Sequence, residues 1–142
     1  MFDSKIYYDG SLIVGKMSGV VEPQGFINGI FWQIDSRNVG EVKEGFSQLY
    51  YDDAVEAITV TDTDIHKIAE INTGIGVTIG TFRTALVLQH PEIIRLATLH
   101  QSLAKSHGFE VEIFSTLEDG FVWLACENPE PDAIKLPEIS AL

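Results

Sequence analysis

Five short runs rich in β-branched and aromatic residues recur along the chain, and all but the first two are separated by stretches whose apolar residues repeat at helical spacing. That alternation constrains the fold more than any other feature. Strands joined through helices lie side by side and parallel, with right-handed crossovers. The exception opens the chain. KIYY and LIVGKMS flank Asp9-Gly10-Ser11, and Asp-Gly is a favoured tight-turn pair because both residues tolerate positive φ, so a hairpin is expected.

After Gly19 the period changes. Pro23 suits the first turn of a helix, and Phe26, Ile27, Ile30, Phe31 and Ile34 form a stripe that should face a sheet. Residues 40–45 read as a loop and FSQLYYD as a strand, followed by a polar, acidic connection to a second helix, TDTDIHKIAE. Thr61 is its expected N-cap, with Asp62 and Asp64 in the first turn, where carboxylates favour the helix dipole. Ile65, Ile68 and Ala69 form its short apolar face, and residues 74–80, GIGVTIG, are read as breaking it. RTALVLQ is apolar on both faces at its centre, as a central strand should be.

His90-Pro91 opens the longest predicted helix, with Ile93, Leu96, Ala97, His100, Leu103 and Ala104 on one face and Gly108 just past its end. EVEIF alternates strictly, with Val111 and Ile113 on one side and Glu110 and Glu112 on the other, as an edge strand does. Ser115 and Glu118 have capping-box spacing for a last helix, LEDGFVWLACE. The predicted order is β-β-α-β-α-β-α-β-α, an α/β fold on a mixed five-stranded sheet. Residues 1–127 are expected to form the domain. Residues 128–142, with three of the five prolines, should be an extended or mobile tail.

A chain of 142 residues suits one domain, and 45% hydrophobic content fits a globular one. The net charge of −12, from 21 acidic against 9 basic residues, repels phosphate backbones, so nucleic acid is not an expected partner. Cys126 is the only cysteine, which rules out an intrachain disulfide and fits a reducing compartment. MFDSKIYYDG has neither a basic n-region nor an apolar h-region, so no signal peptide is expected. The longest apolar run, residues 121–126, is far short of the ~18 residues of a membrane span. Cytoplasm is the expected address.

Few residues suggest chemistry. The glycines of residues 74–80 follow a helix and precede a strand, the reverse of a phosphate cradle, so a flexible connection is the better reading. Asp62, Asp64 and His66, with Asp52 and Asp53 upstream, lack EF-hand spacing, and a helix N-terminus disfavours cations. His66, His90, His100 and His107 form no zinc spacing. His100, on an apolar stripe, reads as hydrogen-bonded at the edge of a core, and His107 as complementing the dipole of its helix. No nucleophile elbow is present, so no catalytic residue and no cofactor are expected. Trp32 and the tyrosine pairs Tyr7-Tyr8 and Tyr50-Tyr51 read mainly as packing, with one tyrosine of each strand pair turned to each face.

RTALVLQ, the long helix and EVEIFSTLEDGFVWL, with a strand ending in Phe114 and a helix ending in Trp123-Leu124, resemble the STAS fold of anti-sigma-factor antagonists and more closely the bacterial SpoIIAA-like proteins. Gly120 stands where a small residue, commonly alanine, is usual in that family. The resemblance covers about residues 5–126 and implies a fold before it implies a function. In true antagonists a serine or threonine at the start of the helix after the third strand is phosphorylated and read by a partner kinase. The equivalent stretch is residues 59–63, which makes Thr61 and Thr63 the candidate phospho-switch residues. It lacks the family's Asp-Ser before an apolar helix start, and Asp52, Asp53, Glu56, Asp62 and Asp64 would repel a phosphate there.

The resemblance implies a non-enzymatic regulatory or interaction module acting on a protein partner or on itself as a homodimer. The alternative is a small-molecule or lipid-binding domain, since related architectures of CRAL-TRIO type hold apolar ligands. A ligand binder is expected to enclose an apolar cavity of roughly 300 Å³ or more, and a regulatory module to expose a contiguous apolar patch instead.

Overall fold

The computed structural model describes residues 2–79, 82–105 and 110–136. Its elements run β1 (Phe2–Tyr7), β2 (Leu12–Val21), α1 (Pro23–Asn38), β3 (Ser47–Ile58), α2 (Asp62–Ile79), β4 (Arg83–Val87), α3 (Pro91–Lys105), β5 (Glu110–Phe114) and α4 (Leu117–Trp123). This is the order predicted from the alternation of periods. The sheet is laid out β1-β2-β3-β4-β5, with β1 antiparallel to β2 and every later pair parallel. Because each crossover steps in the same direction, a constant right hand puts α1, α2 and α3 on one face. Ile30, Ile65, Ile68, Ile93 and Leu96 accordingly share one core with Ile13, Met17 and Leu88.

The opposite face of the sheet would be left wet. It is closed instead by α4 and the segment after it, whose Phe121, Leu124 and Ile134 cover Leu12, Val14, Leu49, Tyr51, Ala85 and Val87. The tail was expected to be extended or mobile. Residues 128–136 instead fold back, with Ile134 only 5% exposed, Asn128 Nδ2 donating to Ile134 O at 2.9 Å and Tyr7 donating to Glu130 Oε1 at 2.8 Å. Prolines at 129 and 131 stiffen the turn without preventing burial of the aliphatic side chain that follows. The rest of the tail lies outside the described residues, as do His107 and Gly108.

Four local expectations are corrected. Residues 74–79 do not break α2 but continue it to Ile79. A glycine costs about 1 kcal/mol in a helix, which packing of Ile65, Ile68 and Ala69 outweighs. The last helix is capped by Thr116, whose hydroxyl accepts from Asp119 N at 3.2 Å, and not by Ser115. β3 runs six residues past the FSQLYYD run, to Ile58, pairing with the end of β2 across a bulge where Gly19 sits at φ +63°. Tyr8 is not on a strand: it turns at φ 50° in the hairpin loop and is half exposed.

The first helix turns its stripe slightly from the expected direction. Ile30, Gln33 and Ser36 are buried, whereas Phe31 is 56% exposed. Trp32, on the flank, packs against the core as the sequence suggests.

Candidate functional site

The site is built where the helix layer meets the sheet. Ser4 of β1, Gly15 of β2 and Tyr50 of β3 are neighbours in register across three strands. Gly15 carries no side chain, and a Cβ placed there would overlap the Tyr50 ring. The phenol therefore lies across the sheet above Gly15, where burial pushes its pKa up while hydrogen bonds from Gln33 and Ser4 oppose that shift. Gln33 reaches down from α1 and donates through Nε2 to Tyr50 Oη at 3.0 Å and to Gln48 Oε1 at 2.7 Å. Gln48 passes the chain on, donating to Thr84 Oγ1 of β4 at 2.7 Å. Gln33, Gln48 and Thr84 are all buried.

This polar row borders an apolar cavity of about 130 Å³ between the sheet and α1, α2 and α3, walled by residues such as Phe26, Ile30, Ile68, Leu86 and Leu96. Phe2 and Phe26 meet edge-on at 4.5 Å at the β1 side. At the α2–α3 side stand Asn72 and His100, with Asn72 Nδ2 3.2 Å from His100 Nε2. Burial holds the His100 pKa below its ordinary value, so the neutral ring accepts from Asn72. His100 is thus hydrogen-bonded at the edge of the core, as read from its position on the stripe.

The cavity is smaller than the roughly 300 Å³ expected of a site for drug-sized ligands. Nor do the exposed large apolar side chains of the described residues fall on one element: Tyr8 is in the hairpin loop, Val20 on β2, Phe31 on α1, Val39 just after it and Val122 on α4.

The acidic residues singled out in the sequence serve separate tasks. Asp52, 3% exposed midway along β3, accepts from Gln89 N at 2.9 and 3.0 Å and from His90 N at 2.9 Å, so it holds the entry to α3. Asp62 pairs with Arg95 at 2.9 Å, and Arg95 also binds Glu92; the guanidinium holds both carboxyls below their usual range. Thr61 caps α2: its hydroxyl donates to Asp64 Oδ2 at 2.9 Å and accepts from Asp64 N at 3.2 Å. Thr63 lies exposed in the first turn of α2. Among the described residues no three of His, Cys, Asp and Glu converge as metal ligands, and no helix is long and apolar enough to cross a membrane.

Phe114 and Trp123 pack together, ring centroids 5.7 Å apart, and the Arg83 guanidinium lies 4.1 Å over the indole. Two of the residues that carry the resemblance are therefore in contact on the face opposite the cavity. Gly120 lets α4 lie against the sheet, since a Cβ there would come within 2.9 Å of Val87 and 3.0 Å of Leu49. Ser4, Gln33, Gln48, Asn72 and Thr84 were missed in the sequence reading. The available signal was Gln33, a polar residue three places after Ile30 in an otherwise apolar stripe.

A mixed five-stranded sheet led by a hairpin, with three helices on one face and a short helix closing the other, is a SpoIIAA-like fold. The chain is similar to the solved structure of an uncharacterized protein of the DUF3478 family with a SpoIIAA-like fold, from Shewanella loihica PV-4. The TM-score is 0.54 and the identity 12%, over 87% of this chain and 93% of the other. No model of a known protein family matches the chain, and no curated protein does.

Proposed function

We propose that this chain is a non-enzymatic, cytoplasmic binding module that holds a small molecule between its sheet and its helix layer. The observation that supports this reading is the buried row Gln33–Gln48–Thr84 beside the apolar cavity. Buried polar side chains add little to stability once their desolvation is counted, but they confer selectivity on a site. The volume of about 130 Å³ favours a compact ligand over a lipid acyl chain. Native mass spectrometry of gently purified protein tests the proposal. A bound small mass is expected, and a lipid-sized adduct, or no adduct with no xenon-induced shift of cavity methyl signals, would overturn it.

The regulatory reading, in which the module works through a protein partner or its own second copy, is supported by Phe31. This exposed phenyl ring in the middle of α1 would gain about 2 kcal/mol on burial at an interface. Light scattering of wild type and Phe31→Glu tests self-association. A dimer lost in the variant is expected, and a monomeric wild type sinks the homodimer. A phospho-switch at Thr61 or Thr63 is supported only by topology. A phosphate on Thr61 would break its cap and meet Asp64.

A further inference from the structure

We infer that the cavity selects an uncharged ligand about the size of one aromatic ring, carrying a hydroxyl, carbonyl or amide that joins the Tyr50–Gln33–Gln48 row. The inference rests on the ligand-binding reading above and names the ligand class.

Three features of the lining carry it. First, among the described residues the cavity wall contains no Asp, Glu, Lys or Arg, in a chain where charged residues make up 21%. A charged ligand would leave water with no countercharge to meet it, and an unpaired buried charge is strongly disfavoured. The titratable groups in the lining, His100 and Tyr50, are both shifted by burial toward their neutral forms. Second, the polar groups that do face the space are neutral: Ser4 and Thr84 hydroxyls, the Tyr50 phenol, the Gln33 and Gln48 amides, and Asn72 beside His100. Hydroxyls and amides both donate and accept, so they suit a ligand with either capacity. Third, the volume of about 130 Å³ is close to that of an apolar cavity able to take up benzene, about 150 Å³.

Two helix positions allow the space to be filled without disturbing the polar row. Gly29 of α1 lines the cavity and has nothing within 4 Å of where its Cβ would stand. Ala97 of α3 lines it from the other side. Both lie inside helices, where leucine is well tolerated.

The experiment titrates the full chain with phenol, benzene, benzoate and decanoate at neutral pH, read by methyl NMR shifts at Ile30, Ile68 and Leu96. Phenol is expected to bind, and benzoate to bind roughly tenfold more weakly or worse, as the desolvation of a carboxylate requires. Tyr50→Phe should weaken phenol several-fold and leave benzene unchanged. Gly29→Leu and Ala97→Leu, each checked for a native spectrum, should abolish both.

Benzoate or decanoate binding as well as phenol, and displaced by the leucine variants, overturns the ligand class while the binding role survives. Silence from every probe, together with no shift under xenon, overturns the binding role as well. Phenol binding that persists in both leucine variants places the ligand elsewhere and overturns the inference.

Discussion

Gly15 sits in the second strand under the ring of Tyr50, and its missing side chain decides where that ring can lie. Gly15→Val would force the phenol off the sheet and break its bond to Gln33. A loss of about 1–3 kcal/mol in urea unfolding is expected, as for other overpacked cores. Asp52 illustrates the opposite case, a buried carboxylate whose bonds to Gln89 N and His90 N are its reason for being there. Asp52→Ala leaves those N–H groups without their charged acceptor, so a loss of about 2 kcal/mol or more is expected by chemical denaturation.

His100 gives a pH signature. Its folded pKa is below the ordinary 6.5, so the unfolded chain binds the proton more readily. The associated stability is complete above pH 6.5 and is lost as the pH falls from there toward the folded value. Melting temperatures measured from pH 7.5 to 5 should fall more for wild type than for His100→Gln. The depressed carboxyls of Asp9, Asp62 and Glu92 act in a lower window, below the ordinary carboxylate range, and do not mask the effect.

Helix α2 shows what local sequence rules leave out. Gly74 and Gly76 argue for a break, yet the helix passes through both because its N-terminal half is fixed by core packing and by the Thr61 cap. Gly74 is exposed, and its Cβ position is open. Gly74→Ala should therefore raise stability by about 1 kcal/mol, measured by thermal unfolding. If residues 74–79 were a loop, the same change would be neutral or harmful.

Element order, the hairpin and the faces of Tyr50 and Tyr51 were legible because each follows from a period or a short-range turn rule. The bulged extension of β3 was hidden, because Asp53 and Glu56 look like a loop until a parallel neighbour supplies the backbone bonds of the segment. Burial of Ile134 was hidden for a related reason: the cluster it joins is built from β2, β3 and β4, far earlier in the chain. The candidate site was mostly illegible. Gln33, Gln48 and Thr84 are ordinary polar residues whose meeting depends on the register of three elements.

The charge of −12 on a domain of this size acts against compactness through self-repulsion, which dissolved ions screen. Raising sodium chloride from a few millimolar to about 0.15 M should lift the melting temperature. A flat response would mean that the acidic groups are too dispersed to matter.

The strand order has a consequence for synthesis. A sheet laid out in the sequence of translation can be assembled as the polypeptide leaves the ribosome, each arriving strand adding to the margin left by its predecessor. No early strand has to wait for a distant later one to be inserted between it and its neighbour. α4 and the turn carrying Ile134, which emerge after all five strands, then close over a surface already complete beneath them.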